Sequence, residues 1–148
     1  MCKKVDVPLS YTFHEVNKLF INNVKNESEM LGINPSYRYV FMALKNNENG
    51  LSQSEICEIV HFKKSSISLL LQQMENEELI IRHKSESDCR QTIVKLTEKG
   101  IALDEKIKSI FIKCEQKMID SINVDELKQL RSLLSKIIGS LNGGECDV

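Results

Sequence analysis

Apolar residues recur at helical spacing along most of the 148-residue chain. The first run extends from about Ser10 to Leu31 with apolar side chains three and four residues apart, and Gly32 suits the end of that helix. A second helix is predicted to begin at Asn34-Pro35, because the Asn34 side chain can cap it and proline is tolerated in the first helical position. Both helices are therefore delimited by residues typical of helix ends.

A helix-turn-helix is predicted between Ser52 and Met74. Ser52 and Glu55 have the spacing of a capping box, in which each side chain bonds the backbone N–H of the other residue. The helix that they open is short, because the apolar pattern breaks at His61-Phe62. A third pattern follows, with one apolar face made of Ile67, Leu70, Leu71 and Met74. This signal is weak by itself, since any helical hairpin gives a similar pattern.

A β-hairpin is predicted directly after these helices. Residues Leu79–His83 and Thr92–Leu96 are the segments richest in consecutive β-branched residues, and the polar segment 84–91 between them favours a turn. Thr97 can then cap a long helix, and Asn123 with Glu126 forms a second cap before a last, leucine-rich helix. The predicted fold class is mainly α with a small β-hairpin wing, a winged helix-turn-helix flanked by N-terminal and C-terminal helices.

The chain resembles the MarR family of transcriptional regulators over essentially its whole length. The segments that carry the resemblance are 51–56, 66–71, 88–90 and 96–100, of which the Asp-x-Arg wing followed by Leu-Thr-x-Lys-Gly is the most specific. The resemblance implies one domain over residues 1–148, with a DNA-binding part at 34–100 and dimerisation helices at 6–33 and 101–142. It also implies a homodimer that binds pseudo-palindromic promoter DNA, usually as a repressor, and releases it when a small molecule or an oxidant acts.

The helix that carries Ile67 is the predicted recognition helix. With Ile67 at the centre of the buried face, a step of about 100° per residue places Ser65, Leu69 and Gln72 on the opposite side. Glutamine amides on that face suit adenine edges in a major groove, and a leucine there suits either a thymine methyl group or a neighbouring helix. Lysines at the start of the helix suit phosphates.

The turn of the hairpin supplies the second predicted DNA contact. Arg90 suits a narrow, A·T-rich minor groove, which attracts a guanidinium group. The resemblance implies that Asp88 orients Arg90 instead of contacting DNA, while Arg82 and Lys84 add charge near the DNA backbone. The complete set of predicted DNA-binding residues is Lys63, Lys64, Ser65, Ser66, Ser68, Gln72, Gln73, Lys84, Asp88 and Arg90.

Several positions depart from the family pattern. Lys63 stands where a serine usually caps the recognition helix, and His61 and Glu78 stand where glycine is common. Leu69, Gln73 and Cys89 replace frequent arginines. Fewer cationic contacts predict weaker non-specific binding or a shallower salt dependence than in a more basic relative.

The cysteines and aromatic residues leave further alternatives open. Of the five cysteines, Cys57 and Cys114 lie on apolar stripes and are interpreted as core, Cys2 and Cys146 lie in the termini, and Cys89 beside Arg90 is the one candidate for oxidant sensing. Cys57 and His61 have i, i+4 spacing, but without further ligands nearby no metal or other cofactor is expected. A cavity for a small aromatic effector is one interpretation of His14, Tyr37 and Phe41; core and interface positions are the other. No catalytic constellation is present, so the chain is not expected to be an enzyme.

The charge balance and the hydropathy of the chain restrict the classes of protein to which it can belong. The chain has 20 basic and 21 acidic residues, and residues 61–100 have seven basic and six acidic ones. A near-zero balance argues against binding nucleic acid over the whole surface, but the basic residues fall at the helix start and the wing. No apolar run is long enough to cross a membrane, and the first residues lack the apolar stretch of a signal peptide, so a cytoplasmic protein is expected. The alternative to a DNA-binding regulator is a winged-helix module that binds another protein.

Overall fold

The computed structural model describes residues 7–143. Within them the chain forms helices and short strands in the order expected of a winged helix, which confirms the predicted fold class. The elements are α1 (Leu9–Glu29), α2 (Tyr37–Lys45), β1 (Leu51–Ser52), α3 (Gln53–Val60), α4 (Lys64–Asn76), β2 (Ile80–Lys84), β3 (Thr92–Leu96), α5 (Glu98–Ile119) and α6 (Val124–Leu141). The chain divides into two compact units, Met1–Ile112 and Lys113–Val148, and the division falls inside α5.

The core of the first unit lies between α2, α3, α4 and the sheet. The apolar face predicted for α4 is buried, and the largest completely buried side chains around it come from α2, α3 and α5. Since buried apolar area is the main stabilising contribution to such a small unit, this core fixes how α4 is presented. Its central residues are Phe41, Ile56, Ile67, Leu71, Met74, Leu79, Ile80 and Ile107.

The sheet has three antiparallel strands in the order β1-β3-β2, one more than the predicted hairpin. In the hairpin Arg82 pairs with Val94, and on the other side of β3 Leu51 pairs with Val94 and Ser52 with Ile93. Strand β1 is only two residues long, so it has no alternation that a sequence pattern would reveal. It ties the start of α3 to the base of the wing.

The predicted helix starts are largely confirmed. Ser52 Oγ accepts a hydrogen bond from the Glu55 N–H at 3.3 Å, and the Glu55 carboxylate accepts one from the Ser52 N–H at 2.7 Å. The same capping box opens α6 at Asn123. Helix α2 begins two residues later than predicted, because Asn34 Oδ1 accepts the Ser36 N–H at 3.0 Å and so caps a turn that precedes the helix.

Two non-glycine residues adopt left-handed backbone conformations, and both stand where the family pattern has glycine. His61 has φ 55° at the end of α3, and Glu78 has φ 60° between α4 and β2. This conformation brings the backbone of an L-residue close to its own Cβ and costs about 1 kcal/mol per residue or more. Both turns therefore keep the backbone conformation that glycine adopts readily, at a conformational cost that glycine would not have.

Helices α1 and α6 each expose apolar side chains. On α1, Phe13, Val16 and Leu19 are at least 40% exposed, whereas Val24 further along is buried and Phe20 contacts the Phe111 ring edge-on at 6.1 Å. On α6, in the second unit, the exposed apolar residues are Val124, Leu130, Leu133, Ile138 and Leu141. None of the helices in residues 7–143 is long and apolar enough to cross a membrane.

Candidate nucleic-acid interface

Helix α4 separates a buried apolar face from an exposed polar one. Ile67, Leu70, Leu71 and Met74 are buried, as the spacing predicted. Every position proposed from the sequence for base or phosphate contact at this helix is exposed. These positions are Lys63, Lys64, Ser65, Ser66, Ser68, Leu69, Gln72 and Gln73.

The start of α4 combines two cations with an uncapped helix end. Lys63 occupies the N-cap position in an extended conformation, and no side chain makes a capping hydrogen bond there. The first N–H groups of a helix are then available to an anion, and the helix dipole adds partial positive charge. Since Lys63 and Lys64 are both exposed and neither forms an ion pair within residues 7–143, this end of α4 suits a phosphate.

The wing turn is held by hydrogen bonds that leave the Arg90 side chain exposed. Asp88 Oδ1 accepts the Arg90 backbone N–H at 3.0 Å, and the Asp88 carbonyl accepts the Gln91 N–H at 2.9 Å. At the base of the turn the Ser85 N–H donates to the Gln91 carbonyl at 2.8 Å. Asp88 thus shapes the backbone that carries Arg90, and the guanidinium group makes no ion pair with the described residues.

The two other cations of the hairpin behave differently from each other. Lys84 is exposed at the end of β2 and has no ion-pair partner within the described part of the chain. Arg82 is half-buried with its Nε 3.1 Å from a Glu75 carboxylate oxygen, so its charge is directed toward α4. Glu75 therefore compensates part of the Arg82 charge, and the contribution of Arg82 near the DNA backbone stays a prediction.

Acidic residues gather at the other end of α4. Glu77 accepts a short hydrogen bond, 2.6 Å, from the Tyr37 hydroxyl, and Glu78 lies 3.6 Å from the Lys99 ammonium. Burial of the phenol, followed by the hydrogen bond to Glu77, raises the pKa of Tyr37 well above its ordinary value, so it remains a donor. The acidic cluster is therefore engaged with α2 and α5, at the end of α4 away from the lysines.

The residues proposed for an aromatic effector differ in their surroundings. Phe41 is completely buried in the core and contacts the Tyr37 ring edge-on at 6.4 Å. His14 is exposed on α1. Tyr37 lines a cavity together with residues of the α1–α2 connection, the α4–β2 connection and α5. The apolar spacing of α2 fits core positions, and the structure places Phe41 there.

The cysteines divide by burial much as their sequence positions suggest. Cys114 is buried, Cys57 is half-buried against the core, and Cys89 is exposed in the wing. Cys2 and Cys146 lie outside the described residues. In residues 7–143 no three His, Cys, Asp or Glu side chains come together as metal ligands.

One polar contact between α2 and α5 was missed by sequence reasoning. Arg38 Nη1 lies 2.9 Å from Asp104 Oδ1, Asp104 is only 4% exposed, and the guanidinium carbon lies 5.9 Å from the Phe111 ring centroid. The partners are 66 residues apart, so no local spacing predicts the pair. The contact joins α2 to the long helix α5.

Comparison with known proteins places these features in a family of regulators. A sequence model of the MarR family matches residues 31–91. The HTH-type transcriptional regulator BilQ of Clostridium symbiosum (strain WAL-14163) is 30% identical over 113 residues, which are 76% of this chain and 78% of the relative.

Solved structures agree with the fold. A complex of S. aureus MepR with DNA has a TM-score of 0.81 and 26% identity, covering 91% of this chain and 99% of that one. A mutant MarR from E. coli, complexed with operator DNA, has a TM-score of 0.79 over 88% of this chain and 94% of that one. At 20% identity the second likeness concerns the fold alone.

Proposed function

This chain belongs to the MarR family of transcriptional regulators, and we propose that it binds double-stranded promoter DNA as a homodimer, acts as a repressor in the cytoplasm, and is released by a small-molecule or oxidant signal. The proposal rests mainly on one observation. Helix α4 exposes a polar face and has two lysines without ion-pair partners within residues 7–143 at its start, Lys63 and Lys64, and the wing exposes Arg90. MepR, a relative with 26% identity, has been solved in complex with DNA.

Helix α4 is the proposed reader of the major groove. Gln72 and Gln73 are exposed on its outer face, where their amides can meet adenine edges, and Leu69, 61% exposed, offers an apolar contact for a thymine methyl group. Ser65, Ser66 and Ser68 offer hydroxyl groups to bases or phosphates. Lys63 and Lys64 meet the phosphate at the helix start.

The wing is the proposed minor-groove contact. A turn fixed by Asp88 presents Arg90 without an internal ion pair among the described residues, so binding DNA does not require breaking one. Lys84, at the strand end beside the turn, meets the backbone. A guanidinium group in a narrow minor groove gains from the enhanced negative potential there.

Dimerisation is proposed because α1 and α6 each expose an apolar face. A soluble monomer seldom exposes several large apolar side chains in one row, and such rows mark association surfaces. Phe13, Val16 and Leu19 on α1 and the leucines of α6 form such rows. In a twofold dimer the two α4 helices would read half-sites about 34–36 Å apart, one turn of DNA.

Substitution of Arg90 by alanine tests the proposal directly. We expect about a tenfold loss of affinity for DNA that flanks the gene of this protein, with a salt slope smaller by about one per protomer and no change in dimerisation. Fluorescence anisotropy across a salt titration measures the first two, and sedimentation velocity measures the third.

The matched control is Lys45→Ala. Lys45 is exposed on α2, 3.7 Å from Glu105 of α5, and belongs to neither α4 nor the wing. It should leave DNA affinity close to that of the wild type. Unchanged affinity of Arg90→Ala at every salt concentration would refute the wing contact, and a wild type that never binds DNA saturably would favour a protein-binding module.

A further inference from the structure

A cavity of about 460 Å³ opens beside the end of α4 that carries the acidic residues. It is bordered by the α1–α2 connection, the first residue of α2, the α4–β2 connection and the first turns of α5, all within the first compact unit. Its volume falls in the range of cavities that bind small molecules. Leu31, Ile33, Leu79 and Leu103 provide its apolar walls.

Charges of both signs border this cavity. Glu77 lies on one side, and Lys99 and Lys106, two helical turns apart on α5, lie on the other. Lys99 is 3.6 Å from Glu78 and so is partly compensated. Glu77 and Lys106 have no partner of opposite charge within 4 Å among residues 7–143, although Glu77 accepts the hydrogen bond from Tyr37.

We propose that this cavity binds a small zwitterion with an apolar side chain. The ligand carboxylate meets Lys106, its ammonium group meets Glu77, and its side chain packs against the leucines of the wall. A ligand that has only a carboxylate leaves Glu77 without a partner of opposite charge and is repelled by it. A ligand that has only an ammonium group is repelled by the two lysines. The paired charges therefore favour a ligand that carries both.

Occupation of the cavity has a route to the recognition helix. Glu77 is the residue that ends α4, and its bond to Tyr37 links that end to α2. A ligand ammonium group on Glu77 competes with the Tyr37 hydroxyl and changes the constraint on this end of α4. This regulatory step rests on the proposed DNA-binding function, and its size is limited by the difference in ligand affinity between free and DNA-bound protein.

Calorimetric titration of the full chain without DNA tests the site. The probes are L-phenylalanine, hydrocinnamate, which lacks the ammonium group, and phenethylamine, which lacks the carboxylate. We expect saturable binding of phenylalanine at least about tenfold tighter than that of either truncated probe. Absence of phenylalanine binding, or equal binding of a truncated probe, would overturn the proposal.

Three variants locate the binding. Lys106→Gln should weaken phenylalanine binding about tenfold, and Glu77→Gln should weaken it while keeping an oxygen acceptor for Tyr37. Lys108→Gln is the control, because Lys108 lies on the same helix outside the cavity and makes only a 4.0 Å surface pair with Glu105. If Lys108→Gln weakens binding as much as Lys106→Gln, the ligand does not occupy this cavity.

DNA titration with and without saturating phenylalanine tests the regulatory step separately. We expect the ligand to raise the Kd for DNA about fivefold or more, in the range of ordinary allosteric coupling. Phenylalanine that binds without changing DNA affinity overturns the regulatory step alone. Protein that binds phenylalanine but no DNA overturns the proposed function and leaves the cavity assignment supported by calorimetry.

Discussion

Substitution of Gly100 by alanine should destabilise the contact between the start of α5 and Leu79, the residue that precedes β2. Gly100 is buried near the start of α5, and a Cβ atom there would lie well inside 3.0 Å of the Leu79 carbonyl oxygen, closer than real Cβ atoms approach. The obstacle is backbone, so no side-chain rotation relieves it. The Leu79 carbonyl also accepts the Thr97 N–H at 3.1 Å, and Thr97 Oγ1 donates to the Glu78 carbonyl at 2.7 Å.

The magnitude of Gly100→Ala follows from three contributions. Forcing extra volume into this contact costs about 1–3 kcal/mol. Moving α5 away from Leu79 weakens the Thr97–Leu79 hydrogen bond, which contributes about 1 kcal/mol. Alanine in a helix regains about 1 kcal/mol relative to glycine. The free energy of unfolding should therefore fall by about 1–3 kcal/mol, whereas helix propensity alone predicts a rise of about 1 kcal/mol.

Urea unfolding monitored by circular dichroism measures this difference. Gly32→Ala is the matched control, because a Cβ there has open space within 4 Å and meets only the cost of φ +63°. That control should lose about 1 kcal/mol from backbone strain. A Gly100→Ala protein as stable as the wild type, or more stable, would contradict the close approach of α5 to Leu79.

Three other substitutions test the start of α4, the buried ion pair between α2 and α5, and the capping box of α3. Lys63→Ser should stabilise α4 by about 1 kcal/mol, because serine adds an N-cap, and urea unfolding measures this gain. The same substitution should reduce the salt slope of DNA binding by about 0.9 per protomer, as measured by a salt titration. An unchanged slope would argue against a phosphate contact at Lys63. Asp104→Asn should cost about 2 kcal/mol in urea unfolding, because it removes the negative charge that pairs with half-buried Arg38 at 2.9 Å and leaves only a neutral amide oxygen as acceptor. A neutral result would mean that the amide oxygen or water satisfies Arg38 equally well. Hydrogen bonds from the Ser52 backbone N–H and, to a smaller extent, from the Ser52 side chain hold the pKa of Glu55 below its ordinary value of 4.5. The stabilisation that the ionised Glu55 gives to the folded state is therefore fully present above pH 4.5. It is lost as the pH falls through the lower pKa of the folded state. Glu55→Gln should lack that acid-dependent loss when urea midpoints are compared between pH 7 and pH 3; identical pH profiles would show that the cap does not titrate with folding.

The predictable parts of the fold are those in which neighbours along the chain determine the structure. The face of α4 was predicted because Ile67, Leu71 and Met74 recur at the helical period and must point to one side. The capping boxes were predicted because their hydrogen bonds join residues three apart. His61 and Glu78 were identified as replacements for glycine, and their left-handed conformations agree with the geometry that glycine favours.

The remaining features depend on how separate helices and strands pack together. Arg38 and Asp104 meet because α2 packs on α5, and Glu75 reaches Arg82 because the hairpin folds back toward α4. Strand β1 exists only through its pairing with β3. The cavity beside Glu77 has the same origin, since its walls come from four separate elements. Local spacing has no information about such contacts, so it predicted the buried and exposed residues of α4 but not the ion pair between Arg82 and Glu75.

The charges of residues 61–100 include two groups that are organised differently. Arg82 and Lys99 lie beside Glu75 and Glu78 at the far end of α4, so four charges largely compensate one another there. The four cations at the helix start and the wing have no acidic partner within residues 7–143; they are Lys63, Lys64, Lys84 and Arg90. Because exposed charges act over about one Debye length, roughly 8–10 Å, a phosphate near these cations experiences them more than the paired region. Internal pairing at the far end of α4 thus leaves the unpaired positive charge of this region at the helix start and in the wing, where Glu86 and Asp88 are the acidic neighbours.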